Sequence, residues 1–253
     1  MTGFVICGLE HSGTTVVAEL LRQVHGVDAG FEIGVLLGAS PRVFPTLQPY
    51  AAHVRRDWGV SEATLEHCCD TDDFAAFYSR LQRAATTLRP GTHTIFDKTP
   101  RYLATLDHCL ARTTAPFIVV FKDPRSTVHS DYKNMWMPDF DSWLDEYAPA
   151  KLGYMRQHYA QYKRAREKAD PRVLFVRLEE LCLDPRGVCT RMFAHVGLHF
   201  HLAHLAFGAN RYEKTHARSI TAGGPFEYLS GMGIVRCRRI ARVFAEFDEW
   251  FFE

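Results

Sequence analysis

The chain has 253 residues, 47% of them hydrophobic and 23% charged, with a formal charge of +1 at pH 7. That is enough apolar material for one sizeable core, and a single α/β domain over 1–253 is expected. The near-zero charge excludes the broad basic field of a nucleic-acid or anionic-membrane binder, so neither partner is expected. The local basic runs KRAREK (163–168) and RCRRIAR (236–242) read as solvated helix faces. Seven cysteines, an odd number without C-x-x-C spacing, read as reduced thiols in a cytoplasmic protein. His195, His199, His201 and His204 lie close together but lack a nearby carboxylate or cysteine set, so no metal is expected. No signal peptide or membrane span is visible. The first apolar run is only a strand long and feeds directly into a glycine loop, which leaves no room for an anchor.

In chain order, residues 3–7 (GFVIC) form a compact apolar run that suits a buried parallel strand. The loop CGLEHSGTT (7–15) leads into a helical pattern, GTTVVAELLRQVHG, which Gly26 ends. A short apolar stretch follows, and a second strand is expected to end near Glu32 in GFEIGVLL. Residues 36–60 contain three prolines and few periodic signals, the pattern of a loop or lid. Further strands are expected at 95–96, 116–121 and 172–178. Helices are expected at 72–88, 101–112, 125–135, 142–168 and 185–196. Residues 205–232 are irregular. A last amphipathic helix is expected at 233–250, where Ile240, Val243, Phe244 and Phe247 recur at three- and four-residue steps. Strands alternating with helices imply a central parallel sheet in a three-layer α/β fold.

Three turns after strands carry chemistry. In the first, a strand, a glycine-rich turn and a helix starting near Gly13 aim backbone amides at one anion, with the Thr14 and Thr15 hydroxyls as added donors. A nucleotide kinase would place a lysine where Thr14 stands; without it, a polyphosphate with its metal fits poorly. A 5′-phosphate carrying a less charged group fits better. The second turn is FKDPRSTVHSDY (121–132). Lys122 sits at the mouth of the strongest strand, where open parallel sheets bind ligands, and Ser130 lies on the helix that follows. The third is FDKTPRYL (96–103), where Lys98 could stabilise negative charge on a leaving oxygen. Alone, the second and third are ordinary strand-to-helix turns.

Taken together, the motifs resemble those of sulfotransferases that use 3′-phosphoadenosine 5′-phosphosulfate (PAPS). His11-Ser12-Gly13-Thr14-Thr15 is similar to the family's 5′-phosphosulfate loop. Lys122 and Ser130 match its 3′-phosphate pair, and DPRSTVHS is very like the tyrosylprotein and bacterial branches. DKTPRYL resembles a block shared by carbohydrate and bacterial members, and VRLEELCLDP (176–185) a segment after the last central strand. The resemblance implies a P-loop-like sulfotransferase fold. It also implies transfer of a sulfuryl group from PAPS to a hydroxyl or amine of a small-molecule or carbohydrate acceptor, leaving 3′,5′-bisphosphoadenosine (PAP), without a metal. His11, Ser12, Gly13, Thr14, Thr15, Lys122, Arg125 and Ser130 would bind the nucleotide, with Arg218 a weaker candidate. Glu32 would be the catalytic base, with His11 the second candidate, and Lys98 and His11 would stabilise the leaving phosphate. Trp136, Trp143, Tyr147 and Tyr154 could meet the acceptor.

Two departures stand out. The loop's basic residue is His11, where the family has arginine or lysine, and an imidazole is ordinarily only partly charged at neutral pH. Lys122 replaces the commoner arginine and offers a point charge without a fork. The rival readings are a P-loop small-molecule kinase and a non-catalytic nucleotide-binding relative.

Overall fold

A computed structural model describes residues 2–135, 139–207, 220 and 223–248. Five strands form one parallel sheet: β1 (Thr2–Gly8), β2 (Val27–Asp28), β3 (Thr94–Lys98), β4 (Phe117–Phe121) and β5 (Val173–Arg177), in the order β2-β3-β1-β4-β5. Phe4, Val5, Ile6 and Cys7 are completely buried, so both faces of β1 are covered by helices and the layers number three. β1 is the switch point. The chain runs to β3 on one side and to β4 on the other, which opens a crevice beyond the strands' C-terminal ends.

The helices in chain order are α1 (Thr14–Leu21), α2 (Tyr50–Asp57), α3 (Glu62–Cys69), α4 (Phe74–Ala84), α5 (Leu106–Arg112), α6 (Pro124–Met135), α7 (Phe140–Lys168), α8 (Leu178–Leu183), α9 (Pro185–His195), α10 (Gly223–Gly231) and α11 (Gly233–Val243). The strand and helix expectations hold along the core, with shifted ends. The helix expected at 72–88 is α4, started by the Asp73 side chain accepting from the Ala75 amide. The one expected at 101–112 begins as a 3₁₀ segment, Pro100–Thr105, before α5. The last helix stops at Val243 and continues as a 3₁₀ turn, Ala245–Phe247.

Two expectations are corrected. The second strand does not reach Glu32: β2 is two residues long and ends at Asp28. Its backbone direction is fixed by buried charge, since Asp28 binds both Arg22 and the Ala29 amide. Residues 36–60 are not a structureless lid. They hold a 3₁₀ segment, Pro41–Thr46, and the helix α2. Tyr50, Ala51 and Val54 bury one face of α2, and Phe44 packs edge-on to Phe77. Pro41 opens the 3₁₀ segment, Pro45 lies within it and Pro49 directly precedes α2, so the three prolines do not exclude helix there.

The tightest approach in the sheet is at Gly8, which pairs with Val120. A β-carbon there would stand 2.0 Å from the Val120 carbonyl oxygen, so backbone would have to move. We expect Gly8→Ala to destabilise the fold by about 3 kcal/mol, read from urea unfolding midpoints. A variant as stable as the parent would contradict this strand register.

Candidate active site

The first turn forms as an anion cradle. The chain leaves β1 at Gly8, turns through a Ser12 amide to Leu9 carbonyl bond of 3.1 Å, and enters α1 at Thr14. Gly13 has φ 96°, a left-handed conformation that glycine adopts freely, and its α-hydrogens face Leu178. The amides from Gly13 to Val16 are the donors that helix geometry leaves without intrahelical acceptors, at the positive end of α1. Ser12 contributes differently from a ligand donor: its hydroxyl is buried and donates to the Val120 carbonyl at 2.9 Å, clamping the loop to β4. Thr14 is buried and Thr15 half-buried.

Lys122 stands two residues beyond Val120, across the crevice from this loop. It is buried, and its ammonium donates to Ser130 Oγ at 3.0 Å. Ser130 in turn donates to the Ser126 carbonyl at 3.0 Å. Among the described residues Lys122 has no carboxylate at ion-pair distance, although Lys98 and Lys151 each have one. Burial therefore pushes the Lys122 ammonium down to about 8.

Lys98 ends β3 on the other side of β1. Its ammonium donates to Glu32 Oε1 at 2.9 Å and lies 4.4 Å from the Phe31 ring centre. Glu32 is held there although no strand carries it. Trp58 Nε1 donates to the Phe31 carbonyl at 2.8 Å, and the Gly34 amide donates to Thr99 Oγ1 at 3.0 Å. Behind these sits Asp97, completely buried, accepting from Thr99 at 2.7 Å, Tyr78 at 2.7 Å and Tyr102 at 2.6 Å. Burial raises the Asp97 carboxyl above its ordinary range, and the three hydroxyls pull it partly back.

The structure thus brings the loop, Lys98 with Glu32, and Lys122 with Ser130 to one edge of the sheet. The Arg125 guanidinium forks onto Asp123 two residues back and lies 5.3 Å over the Tyr228 ring. The Asp123 amide donates to Glu179 Oε1 at 2.8 Å, which ties the turn to α8. Arg218 and Trp136 lie outside the described residues.

Sequence reading missed one hub. Asp131, next to Ser130 on α6, accepts from His11 Nδ1, from the Tyr147 hydroxyl and from Lys151 Nζ, the last at 2.9 Å. It is buried, yet these donors hold its carboxyl down to about 2. Its partners come from 120 residues upstream and 20 downstream, so no local pattern marks it. Beside the hub opens a cavity of about 620 Å³, lined among others by Glu10, Trp143, Glu146, Tyr147, Lys151 and Tyr154. Trp143 and Tyr147 stack at 4.4 Å. Among the described residues no three histidines, cysteines or acids are grouped to hold a metal.

A sequence model described as Sulfotransferase family matches residues 3–201. The chain belongs to the sulfotransferase family. Solved structures agree in fold. The sulfotransferase domain of the Synechococcus PCC 7002 olefin synthase is 18% identical, covers 96% of this chain and 93% of its own, and has a TM-score of 0.63. The sulfotransferase domain of the curacin biosynthetic pathway is 14% identical over 97% and 98% of the two chains, with a TM-score of 0.58. Mouse sulfotransferase SULT7A1, solved with PAP, is 15% identical over 97% and 84%, with a TM-score of 0.56. No curated protein matches the sequence. No helix among the described residues is long and apolar enough to cross a membrane.

Asp131 also gives a stability signature. Its folded pKa is below the ordinary 3.8, so its contribution is complete above about pH 4 and is lost as pH falls toward 2. The contribution amounts to about 2 kcal/mol. Urea unfolding at pH 6, 4 and 3 should show the parent losing this advantage over Asp131→Asn as pH drops. A difference that stays constant with pH would refute it.

Proposed function

We propose that the protein is a PAPS-dependent enzyme that moves a sulfuryl group to a hydroxyl or amine of a small-molecule or carbohydrate acceptor. The observation that carries this reading is Lys122: a buried ammonium that donates to a hydroxyl and, among the described residues, has no carboxylate at ion-pair distance, opposite the amides that open α1. Two separate anion grips on either side of one crevice suit a nucleotide with phosphate groups at both its 3′ and 5′ positions. The Lys122–Ser130 pair would hold the 3′-phosphate. The Gly13, Thr14 and Thr15 amides and the threonine hydroxyls would hold the 5′ end. That a structural neighbour was solved with PAP supports the assignment. The seven free cysteines support a cytoplasmic setting for one domain spanning 1–253.

PAPS supplies the activated sulfuryl group. The acceptor oxygen or nitrogen forms a bond to sulfur as the bridging sulfur–oxygen bond breaks, and that electron pair stays on the 5′-phosphate. Glu32 takes the acceptor's proton. Lys98, already 2.9 Å from Glu32, sets positive charge beside both the base and the leaving oxygen. The cavity beside the Asp131 hub receives the acceptor, with Trp143, Tyr147 and Tyr154 as its aromatic walls.

The test is transfer from sulfur-labelled PAPS to a panel of phenols, sugars and amines, with PAP binding measured by calorimetry. Magnesium-dependent ATP turnover without PAP binding would sink the reading. Glu32→Gln should lower kcat by about 10²–10⁴-fold, and full turnover in that variant would remove Glu32 as base. PAP affinity should fall as pH rises through 8, by at most about tenfold per unit, because binding needs the charged Lys122 ammonium. Lys122→Met should weaken PAP binding at pH 7 by about 10–100-fold and flatten that dependence. An unchanged pH slope in the variant would show that Lys122 does not meet the ligand.

A further inference from the structure

The family's loop carries a lysine or arginine where this chain has His11, so a charge must be made up or done without. His11 stands at the loop tip with φ 63°, a left-handed conformation uncommon for a residue with a side chain. That backbone costs free energy, and what it secures is visible: the ring reaches across to Asp131 on α6. Asp131 is ion-paired with the Lys151 ammonium at 2.9 Å, and a carboxylate can only accept, so His11 Nδ1 carries the proton. Half of the His11 side chain is exposed (51%), and Nε2 has no hydrogen bond among the described residues.

Around Asp131 stand His11 from the loop and Tyr147 and Lys151 from α7, with Lys122 at the end of β4 in electrostatic reach. Lys151 already neutralises Asp131. Tyr147 spends its hydroxyl on Asp131, which fixes the carboxylate and leaves one oxygen for the ring.

We propose that Asp131 is a positioning residue: it fixes the His11 ring with Nδ1 toward itself and Nε2 outward, so that the ring stands where the family's loop has a lysine or arginine. This rests on the sulfotransferase reading. In it, the oriented ring would face the negative charge left on the 5′-phosphate when the sulfur–oxygen bond breaks, and no proton need be transferred.

A double-mutant cycle tests it, with kcat measured from PAPS and the best acceptor of the panel. Asp131→Asn should lower kcat about 10–100-fold when His11 is present. In the His11→Lys background the same change should cost less than about threefold, because lysine is charged without a partner. Equal losses in both backgrounds, or no loss with His11, would reduce Asp131 to scaffolding. Nitrogen NMR of the nucleotide-free protein gives a second readout that needs no turnover. The neutral His11 ring should carry its proton on Nδ1 in the parent and mainly on Nε2 in Asp131→Asn. A parent ring protonated on Nε2 overturns the inference. A parent that neither binds PAP nor consumes PAPS overturns the sulfotransferase reading, while the NMR result still decides the pairing.

Discussion

The pairing of Gly8 with Val120 is the constraint on which the site depends. The two strands meet so closely there that only a glycine fits between them. The chain can then turn immediately, and Ser12 reaches back to the same Val120 carbonyl. One peptide of β4 therefore fixes both ends of the loop. Two residues further along β4 the chain delivers Lys122, so the distance between the two anion grips is set by backbone hydrogen bonds and not by flexible side chains. A site held this way is organised before ligand arrives, which lowers the ordering cost of binding.

The same edge of the sheet concentrates buried charge. Asp97, Lys98, Lys122, Asp131, Lys151 and Glu179 are each less than a tenth exposed. Removing an ion from water costs several kcal/mol, so such groups persist only when paired or when function needs them. Lys98 has Glu32, Lys151 has Asp131, and Asp97 has three hydroxyls. Lys122 has a serine. Burial lowers the Lys122 ammonium, and in the proposed function an anionic ligand would restore the balance there.

The strand–turn–helix units that carry the loop, Lys98 and Lys122 were legible because each of them is local. A strand, its turn and the next helix lie within a dozen residues, and hydrophobic runs mark the strands. β1, β4, α1 and α6 follow those signals. The parts that were not legible depend on distant residues. β2 is too short to leave a pattern, and Glu32 is placed by Trp58 and Thr99. The helices α2 and α3 have mixed faces that show no clean period, and packing onto the core decides them. Arg125 reads as a phosphate ligand from its motif, and its guanidinium also pairs with Asp123 two residues back.

The two sides of the site are built differently. A local strand–turn–helix design repeats three times, at Gly8–Thr14, Lys98–Pro100 and Lys122–Pro124. The cavity beside them is built differently: most of its wall is one face of α7, from Trp143 to Tyr154, laid against a single loop residue, Glu10. Side chains on a helix face can change one at a time without moving the sheet, whereas no change at Gly8 or Ser12 is so isolated. The Asp131 hub joins the two systems, because its partners Tyr147 and Lys151 also line that cavity. Variation on α7 could therefore reshape the cavity at most positions, but at those two it would also disturb Asp131 and its contact with His11.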